Sequence, residues 1–335
     1  FVRHDARSQG EPVLFVHGNV SDSVFWEETL LALPAGLRGL AADLRGFGGT
    51  EPLAIDATRG LRDFSDDLAT MLDALGIDRV HLVGWSMGGG VVMRLLIDHP
   101  ARVASLTLVN PVSPYGFGGT RADGSLLAPD GAGSGGGTAN PEFVARIEAH
   151  DSAGTDAASP RGVMNALYFA AVPDGVRDAA FVESMLSTRI GTDFYPGDQV
   201  PSQTWPGTAP GGSGVLNTMA PTYCDLTGLV DVHPQPPVLW VHGSADQIVS
   251  DTSMFDLAVL GRLGAIPGWP GEDVVPPQPM VSQTRDVLDR YRYAGGRVEE
   301  VVVEGAGHSP HIEKPEEFRA TLFGFLSAPP KPPSG

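Results

Sequence analysis

Residues 80–88 read VHLVGWSMG, an apolar run that ends at a serine between two glycines. The pattern G-x-S-x-G predicts a tight turn between a buried strand and a helix, with Ser86 at its tip. Glycine is needed on both sides because a β-carbon there would collide with the turn. A strained, exposed serine beside a helix N-terminus is typical of an acyl-transfer nucleophile. The structural alternative is a glycine-rich helix start that only packs closely on a sheet.

A serine nucleophile needs a base to take its proton and an acid to orient that base. Two further segments, the apolar run at 238–241 and the strand-like VEEVVV at 298–303, are followed within a few residues by Asp246 and His308. Both segments are typical of strands, so loops can carry the two side chains to one edge of a sheet. The chain order Ser, Asp, His is the one that this turn motif requires. We therefore predict Ser86, Asp246 and His308 as the catalytic residues.

Each partner also has a plainer interpretation. Asp246 could be an ordinary turn aspartate, because Asp favours turns. His308 could be a capping or solvated histidine, and His311 is the second candidate for the base. His17 and His242 each precede a glycine at a strand end, a position that favours a structural role.

The tetrahedral intermediate of acyl transfer needs preorganised hydrogen-bond donors. The backbone N–H of Met87, directly after the nucleophile, is the first predicted donor. The second is expected in the first strand-to-helix loop, where the apolar run 13–16 is followed by HGN at 17–19. We assign it to the N–H of Asn19, with Gly18 allowing close approach of the backbone. A simple turn at Gly18 and Asn19 is the alternative.

Four motifs in this chain resemble those of the α/β-hydrolase fold family. They are HGN at 17–19, DLRGFGGT at 43–50, GWSMGG at 84–89, and GH at 307–308 followed by EKP at 313–315. The resemblance implies a mostly parallel central sheet flanked by helices, with an inserted, mainly helical cap. Family members include esterases, lactonases, carbon–carbon bond hydrolases, epoxide hydrolases and haloalkane dehalogenases. The last two use an aspartate where this chain has Ser86, so the resemblance favours a serine-nucleophile, esterase- or lactonase-like member.

The order of local patterns supports the same α/β architecture. Up to residue 112 apolar runs at 13–16, 37–42, 80–83 and 105–109 alternate with helical patterns, which predicts a parallel sheet covered by helices. We divide the chain into a core segment at 1–112, a cap at 113–235 and a second core segment at 236–335. Within the cap, helices are expected at 141–150, 160–171 and 176–189. The glycine-rich residues 116–137 are either an ordered lid or a disordered linker.

Two departures from the family pattern are visible. Members usually have one or two strands before the HGN loop, and we expect these to be short or absent here. The stretch from Asp246 to His308 is longer than a single helix requires and contains a predicted helix at 281–293. Within it Trp269 and Met280 are candidates to line the pocket, and packing under a long loop is the alternative.

Composition limits the partners. The 335 residues carry a net charge of −18, which argues against nucleic-acid binding and against attraction to anionic membranes. A single cysteine, Cys224, permits no internal disulfide, the first residues do not resemble a signal peptide, and no apolar run has transmembrane length. We expect a cytoplasmic protein that acts on a small molecule and requires neither a metal nor an organic cofactor.

The sequence therefore predicts a serine hydrolase that cleaves an ester or lactone of a small, apolar molecule through an acyl-enzyme. Two alternatives remain open. One is a carbon–carbon bond hydrolase of diketone ring-cleavage products, which uses a similar triad. The other is a small-molecule receptor with little turnover. The oligomeric state and the identity of the substrate are not predicted.

Overall fold

The computed structural model describes residues 1–4 and 10–327. The strands are β1 (Val2–His4), β2 (Gly10–Val16), β3 (Gly36–Ala42), β4 (Val80–Trp85), β5 (Val103–Val109), β6 (Ile190–Gly191), β7 (Tyr195–Pro196), β8 (Gln199–Pro201), β9 (Thr208–Pro210), β10 (Val238–Gly243) and β11 (Val298–Val303). The α-helices are α1 (Glu27–Leu31), α2 (Arg62–Ala74), α3 (Met87–Asp98), α4 (Pro141–Glu148), α5 (Pro160–Val163), α6 (Asp178–Leu186), α7 (Leu257–Arg262), α8 (Met280–Tyr293), α9 (Pro310–Glu313) and α10 (Pro315–Leu326).

Seven strands form one central sheet in the order β1-β3-β2-β4-β5-β10-β11. Every neighbouring pair is parallel except β1 with β3. Parallel strands covered on both faces are buried, which explains why residues 13–16 of β2 and most of β4 and β10 are apolar in the sequence. The predicted α/β class with a mostly parallel sheet is confirmed.

The first edge of the sheet has a strand where the sequence analysis expected a short strand or none. A strand precedes the HGN loop at this edge: β1 pairs antiparallel with β3, with Val2 opposite Ala42. It is only three residues long, so the expectation of a short strand is correct and that of an absent strand is wrong. A short edge strand offers few free backbone groups for pairing with another chain.

The helices that the periodicity predicts lie close to their expected positions. Helix α2 buries the stripe Phe64, Leu68 and Leu72, which recurs at helical spacing. Helix α3 begins directly after Ser86 and packs against β4 and α2. Because β2, β4, β5, β10 and β11 run parallel, the loops after their carboxyl ends meet at one edge of the sheet.

The insert at residues 113–235 contains fewer helical residues than its sequence suggests. It contains α4, α5, α6, a single π-helical segment at Met164–Tyr168 and two small two-stranded ladders. The glycine-rich residues 116–137 form no helix or strand, yet several of their side chains are buried, including Thr120 and Ser134. Backbone hydrogen bonds such as Leu127 N to Gly119 O (2.9 Å) hold the segment in place.

The second insertion, between Asp246 and His308, carries α7 and α8. The Nε2 amide of Gln283 on α8 donates to Thr120 Oγ1 (3.0 Å) and to the carbonyl of Arg121 (2.7 Å). These contacts join the second insertion to the glycine-rich segment. The sequence did not predict that these two segments touch. No described helix combines the length and apolarity needed to cross a lipid bilayer.

Candidate active site

Ser86 lies at the turn between β4 and α3 with φ 57° and ψ −122°, a strained conformation for a residue with a side chain. A β-carbon on Gly84 would lie 2.4 Å from the carbonyl oxygen of Gly88, and one on Gly88 would lie 2.3 Å from that of His17. The turn is held by hydrogen bonds from Ser86 N to Val109 O (2.9 Å) and from Gly89 N to Ser86 O (2.9 Å). The two flanking glycines are therefore required by close packing.

Asp246 and His308 form a buried hydrogen-bonded pair. His308 Nδ1 lies 2.8 Å from Asp246 Oδ2, and neither residue is more than 8% exposed. The other carboxylate oxygen accepts the backbone N–H groups of Ile248 (2.7 Å) and Val249 (3.1 Å). Because a carboxylate only accepts, Nδ1 carries the proton and Nε2 keeps a free lone pair. This is the tautomer that a general base requires.

Ser86 and His308 line the same cavity. Among the hydrogen bonds of residues 10–327, none joins the Ser86 hydroxyl to His308. Proton transfer requires the two groups to approach within hydrogen-bond reach, and such contacts commonly tighten only when substrate binds. The structure thus brings the three predicted side chains to one site, but it has no hydrogen bond between the Ser86 hydroxyl and the His308 imidazole.

The two predicted oxyanion donors lie on either side of Ser86. Asn19 lines the cavity, and a β-carbon on Gly18 would lie only 3.0 Å from Ser86 Cβ, so the backbone comes close to the nucleophile. Met87 is the first residue of α3, where N–H groups have no acceptor within the helix. Within the described chain neither N–H has a hydrogen-bond acceptor. The positive end of α3 also favours negative charge at this point.

His17 orients the peptide group that carries the Asn19 N–H. Its Nδ1 donates to the carbonyl of Gly18 at 2.7 Å, and its Nε2 accepts the N–H of Leu44 at 3.0 Å. Burial lowers the pKa of His17, which keeps the ring neutral and preserves this donor–acceptor pattern. The structural interpretation of His17 agrees with these contacts.

Asn110, directly after β5, is a supporting residue that the sequence analysis did not identify. Its Nδ2 donates to the carbonyls of Gly307 (3.0 Å) and His308 (2.8 Å), and its Oδ1 accepts the N–H of Gly243 (3.0 Å). Trp85 Nε1 also donates to the His308 carbonyl at 2.7 Å. The available signal was a polar residue directly after an apolar strand, the same pattern that identified Asp246 and His308.

Two further side chains tie the insert to the loops around Ser86. The hydroxyl of Tyr168 donates to the carbonyls of Asn19 (3.1 Å) and Val20 (3.2 Å). The carboxylate of Glu313 accepts the N–H of Ala170 (2.7 Å) on one oxygen and that of Gly307 (2.8 Å) on the other. The contacts of Tyr168 and the contact of Glu313 with Ala170 span more than a hundred residues of sequence, so no local pattern could have indicated them.

His311, the second candidate for the base, is not part of the cavity wall. Its ring stacks on Trp26 with a centroid distance of 4.3 Å and lies edge-on to Trp85 at 5.0 Å. Neither ring nitrogen has a partner within the described residues. Burial, together with the nearby His308, lowers the pKa of His311 to about 3. The geometry favours His308 over His311 as the base.

The cavity has a volume of about 400 Å³ and lies between the sheet edge and the insert. The insert contributes Phe143, Leu167, Tyr168 and Tyr195, and α7 contributes Leu257 and Leu260. Among the described residues no Arg, Lys, Asp or Glu lines it. The glycine-rich segment also contributes to the wall, through Ser134, Gly135 and Gly136.

Two pocket candidates of the second insertion lie elsewhere. Met280, the first residue of α8, is fully buried, and Trp269 packs on Gly261 of α7 and donates to the carbonyl of Val275 at 3.0 Å. Neither residue lines the cavity, so the packing interpretation is the correct one. Within the part of the chain that the structure describes, no group of three His, Cys, Asp or Glu side chains could hold a metal ion.

Comparison with known proteins gives a consistent fold assignment. A family model described as the alpha/beta hydrolase fold matches residues 11–136. An esterase from Exiguobacterium antarcticum superposes with a TM-score of 0.56 at 19% identity, covering 98% of this chain and 95% of the esterase. Together with the sheet order and the elbow at Ser86, these matches show that the chain has the alpha/beta hydrolase fold.

Curated relatives match about a third of the chain. A protein from Variovorax paradoxus, provisionally named a carbamate hydrolase, is 45% identical over 104 residues, which cover 31% of this chain and 39% of that protein. A 2-hydroxy-6-oxo-6-phenylhexa-2,4-dienoate hydrolase from Comamonas testosteroni is 31% identical over 114 residues, 33% of this chain and 40% of the enzyme. The chain thus spans about two fifths of the length of these relatives.

Proposed function

We propose that this protein is a serine hydrolase that cleaves a neutral carboxylic ester or lactone of a small, apolar molecule. The observation that carries the proposal is the strained Ser86 on the same uncharged cavity as the hydrogen-bonded pair His308–Asp246. This arrangement supplies a nucleophile, a base with a free lone pair and a group that holds the base in its productive tautomer.

The first half of the proposed reaction forms an acyl-enzyme. His308 Nε2 takes the proton of the Ser86 hydroxyl as the serine oxygen attacks the ester carbonyl. The N–H groups of Asn19 and Met87 donate hydrogen bonds to the developing oxyanion, and each such donor contributes about 10²–10³ in rate. The alcohol leaves after His308 returns the proton to its oxygen.

The second half releases the acid. His308 takes a proton from water, the resulting hydroxide attacks the acyl carbonyl, and Ser86 is regained with its proton returned from the imidazole. Asp246 stabilises the imidazolium that forms in each half and does not itself become protonated. We propose that the insert at 113–235 acts as a cap, because it supplies much of the apolar wall and so keeps bulk water from the acyl group.

The charge of the cavity wall favours a neutral ester over the substrates of the carbon–carbon bond hydrolases. The relative from Comamonas testosteroni is named for a dienoate, which is an anion. In this cavity a substrate carboxylate would find no Arg or Lys among the described residues, and an unpaired buried charge is costly. Carbon–carbon cleavage is the second candidate, since that relative is 31% identical to this chain over 114 residues.

The test combines a reactivity probe with a substrate panel. A fluorophosphonate should label the wild type at Ser86 and should not label Ser86→Ala. 4-Nitrophenyl esters from acetate to decanoate, uncharged lactones and a phenyl dienoate of the kind named above should be compared for kcat/KM. We expect turnover of esters and no turnover of the dienoate. Turnover of the dienoate with none of the esters would establish the second candidate, and equal ester turnover by Ser86→Ala would refute the mechanism.

A further inference from the structure

The Tyr195 hydroxyl belongs to a residue of the cavity wall and has no hydrogen-bond partner in the described part of the chain. Tyr195, at the start of β7 in the insert, lines the cavity and is 6% exposed. Its Oη takes part in no hydrogen bond of residues 10–327. Some polar atoms of the described chain have neither a hydrogen-bond partner nor contact with solvent, among them atoms of Thr188 and Asn165. The Tyr195 hydroxyl is not one of these atoms. This hydroxyl therefore keeps some accessible surface, and Tyr195 is one of the residues that line the cavity.

Comparison with the second tyrosine of the cavity shows what is unusual about Tyr195. Tyr168 also lines the cavity, but its hydroxyl donates to the carbonyls of Asn19 and Val20. The proton of the Tyr195 hydroxyl has no such acceptor. Burial raises the pKa of Tyr195, so this hydroxyl stays protonated and acts as a donor. A buried donor without an acceptor costs free energy unless a ligand or water supplies one.

A second hydroxyl on the insert side is in a similar state. Ser134 lines the cavity at 3% exposure, and its Oγ accepts the N–H of Gly136 at 3.3 Å. Within the described residues its proton has no acceptor. The wall also carries the neutral polar side chains of Asn19, Thr138 and Asn140 but no cation among the described residues, so free O–H donors there match an uncharged oxygen acceptor better than an anion.

The exposure of the cavity wall indicates which part of the substrate carries that acceptor. Met254 and Phe255 line the cavity and are 36% and 40% exposed, so they lie at its open end, whereas Tyr195 is enclosed. In the proposed reaction the alcohol must leave through the open end, while the acyl group remains attached to Ser86. The enclosed wall therefore contacts the acyl chain.

We propose that Tyr195 determines substrate specificity by donating a hydrogen bond to a second, uncharged carbonyl oxygen in the acyl chain. The preferred substrates are then neutral esters or lactones of oxo-acyl groups. This inference rests on the proposed hydrolase function and adds to it the chemical class of the acyl group. Tyr195 does not touch the reacting atoms in this proposal, so it is a specificity residue and not part of the triad.

The test compares acyl chains of equal length. The substrates are 4-nitrophenyl hexanoate and its 4-oxo and 5-oxo counterparts, with each rate divided by the rate of hydrolysis by hydroxide. For the wild type we expect kcat/KM to favour one oxo ester by about tenfold, the discrimination that one neutral hydrogen bond can supply. Tyr195→Phe should remove this preference, bringing the ratio of oxo-ester to hexanoate kcat/KM to within about twofold of one. Tyr293→Phe is the matched control, since Tyr293 is 91% exposed, and should keep the preference.

The outcomes separate this inference from the proposed function. Hexanoate turnover with no preference for an oxo ester, or a preference that survives Tyr195→Phe, overturns the role of Tyr195 and leaves the hydrolase proposal intact. If no ester is turned over, the hydrolase proposal fails. Calorimetric measurement of ester binding to Ser86→Ala then tests the hydrogen bond from Tyr195 by itself. Tighter binding of ethyl 4-oxohexanoate or ethyl 5-oxohexanoate than of ethyl hexanoate, abolished by adding Tyr195→Phe, supports the hydrogen bond. Equal binding of the three esters overturns it.

Discussion

The side-chain amide of Asn110 donates a hydrogen bond of 2.8 Å to the main-chain carbonyl of His308. The same side chain contacts Gly307 and Gly243, so one residue at the end of β5 joins the loops that follow β10 and β11. These are the loops that carry Asp246 and His308. The position of the imidazole relative to Ser86 therefore depends on a residue that takes no part in the chemistry.

Replacing Asn110 should weaken both the site and the fold. Asn110→Gly is the suitable change, because the residue has φ 39° and glycine tolerates that conformation. It leaves the buried N–H of Gly243 and the carbonyl of Gly307 without a partner, while the His308 carbonyl keeps the bond from Trp85, and this should cost about 2–3 kcal/mol in the free energy of unfolding. We expect kcat to fall about tenfold or more with a smaller change in KM, since the imidazole is misplaced. Urea denaturation and steady-state kinetics check this, and an unchanged kcat would contradict the positioning role.

The strain at Ser86 predicts that a variant relieved of it is more stable but inactive. A residue with a side chain in such a backbone conformation costs about 1–3 kcal/mol. Ser86→Gly should relieve the strain and, after the entropy that glycine adds to the unfolded chain, raise the free energy of unfolding by about 1 kcal/mol. Ser86→Ala lacks the nucleophile equally but keeps the β-carbon, so it serves as the control and should not be stabilised. Equal stability of the two variants in urea would show that the turn is not strained.

The close approach of Gly18 to Ser86 predicts a specific loss of activity. Gly18→Ala would place a β-carbon 3.0 Å from Ser86 Cβ and 3.2 Å from the Trp85 ring, so the nucleophile or the Asn19 loop must shift. We expect kcat/KM to fall about tenfold or more, because oxyanion donors act only at close range.

The matched control for this change is Gly324→Ala on α10, where an added β-carbon meets nothing within 4 Å. It should leave activity unchanged and raise the free energy of unfolding by roughly 0.5–1 kcal/mol, because alanine is the better helix former. Ester turnover and thermal unfolding of both variants decide the matter. Retained activity in Gly18→Ala would remove the basis for placing a donor at Asn19.

Buried His311 predicts sensitivity of the fold to acid. Its pKa is lowered to about 3, whereas the unfolded chain has the ordinary value of about 6.5. Below about pH 6.5 the unfolded state binds the proton and the native state does not, so stability falls as the pH falls. One such group lowers the free energy of unfolding by up to about 1.4 kcal/mol per pH unit in this window.

His311→Phe should reduce that acid sensitivity. An aromatic ring preserves the stacking on Trp26, and no partner is lost because neither nitrogen has one within the described chain. Between about pH 7.5 and about pH 5 the loss of stability should be smaller than in the wild type by up to about 2 kcal/mol. His4→Phe is the control, since His4 is exposed on β1. Identical pH profiles for His311→Phe and the wild type would contradict the assignment.

Local sequence was sufficient for the features that arise within a few residues of one another. The strand, turn and helix around Ser86 follow from apolar runs and from glycines where a β-carbon would collide, and they specify the α/β-hydrolase fold together with the alternation of strands and helices. Asp246 and His308 could be chosen because each follows a strand end, and parallel strands bring such ends together. Whether these residues act as a triad is a prediction for the experiments above.

Tertiary structure alone decided which distant groups support the site and what the cavity can hold. Asn110, Tyr168 and Glu313 act through partners more than a hundred residues away, and the free hydroxyl of Tyr195 is recognisable only when every possible acceptor around it is known. Sequence patterns report burial and local conformation, because these repeat with the period of a helix or strand. The pairing of single polar atoms across a packed interior has no period, so it follows only from the way the whole chain closes around them.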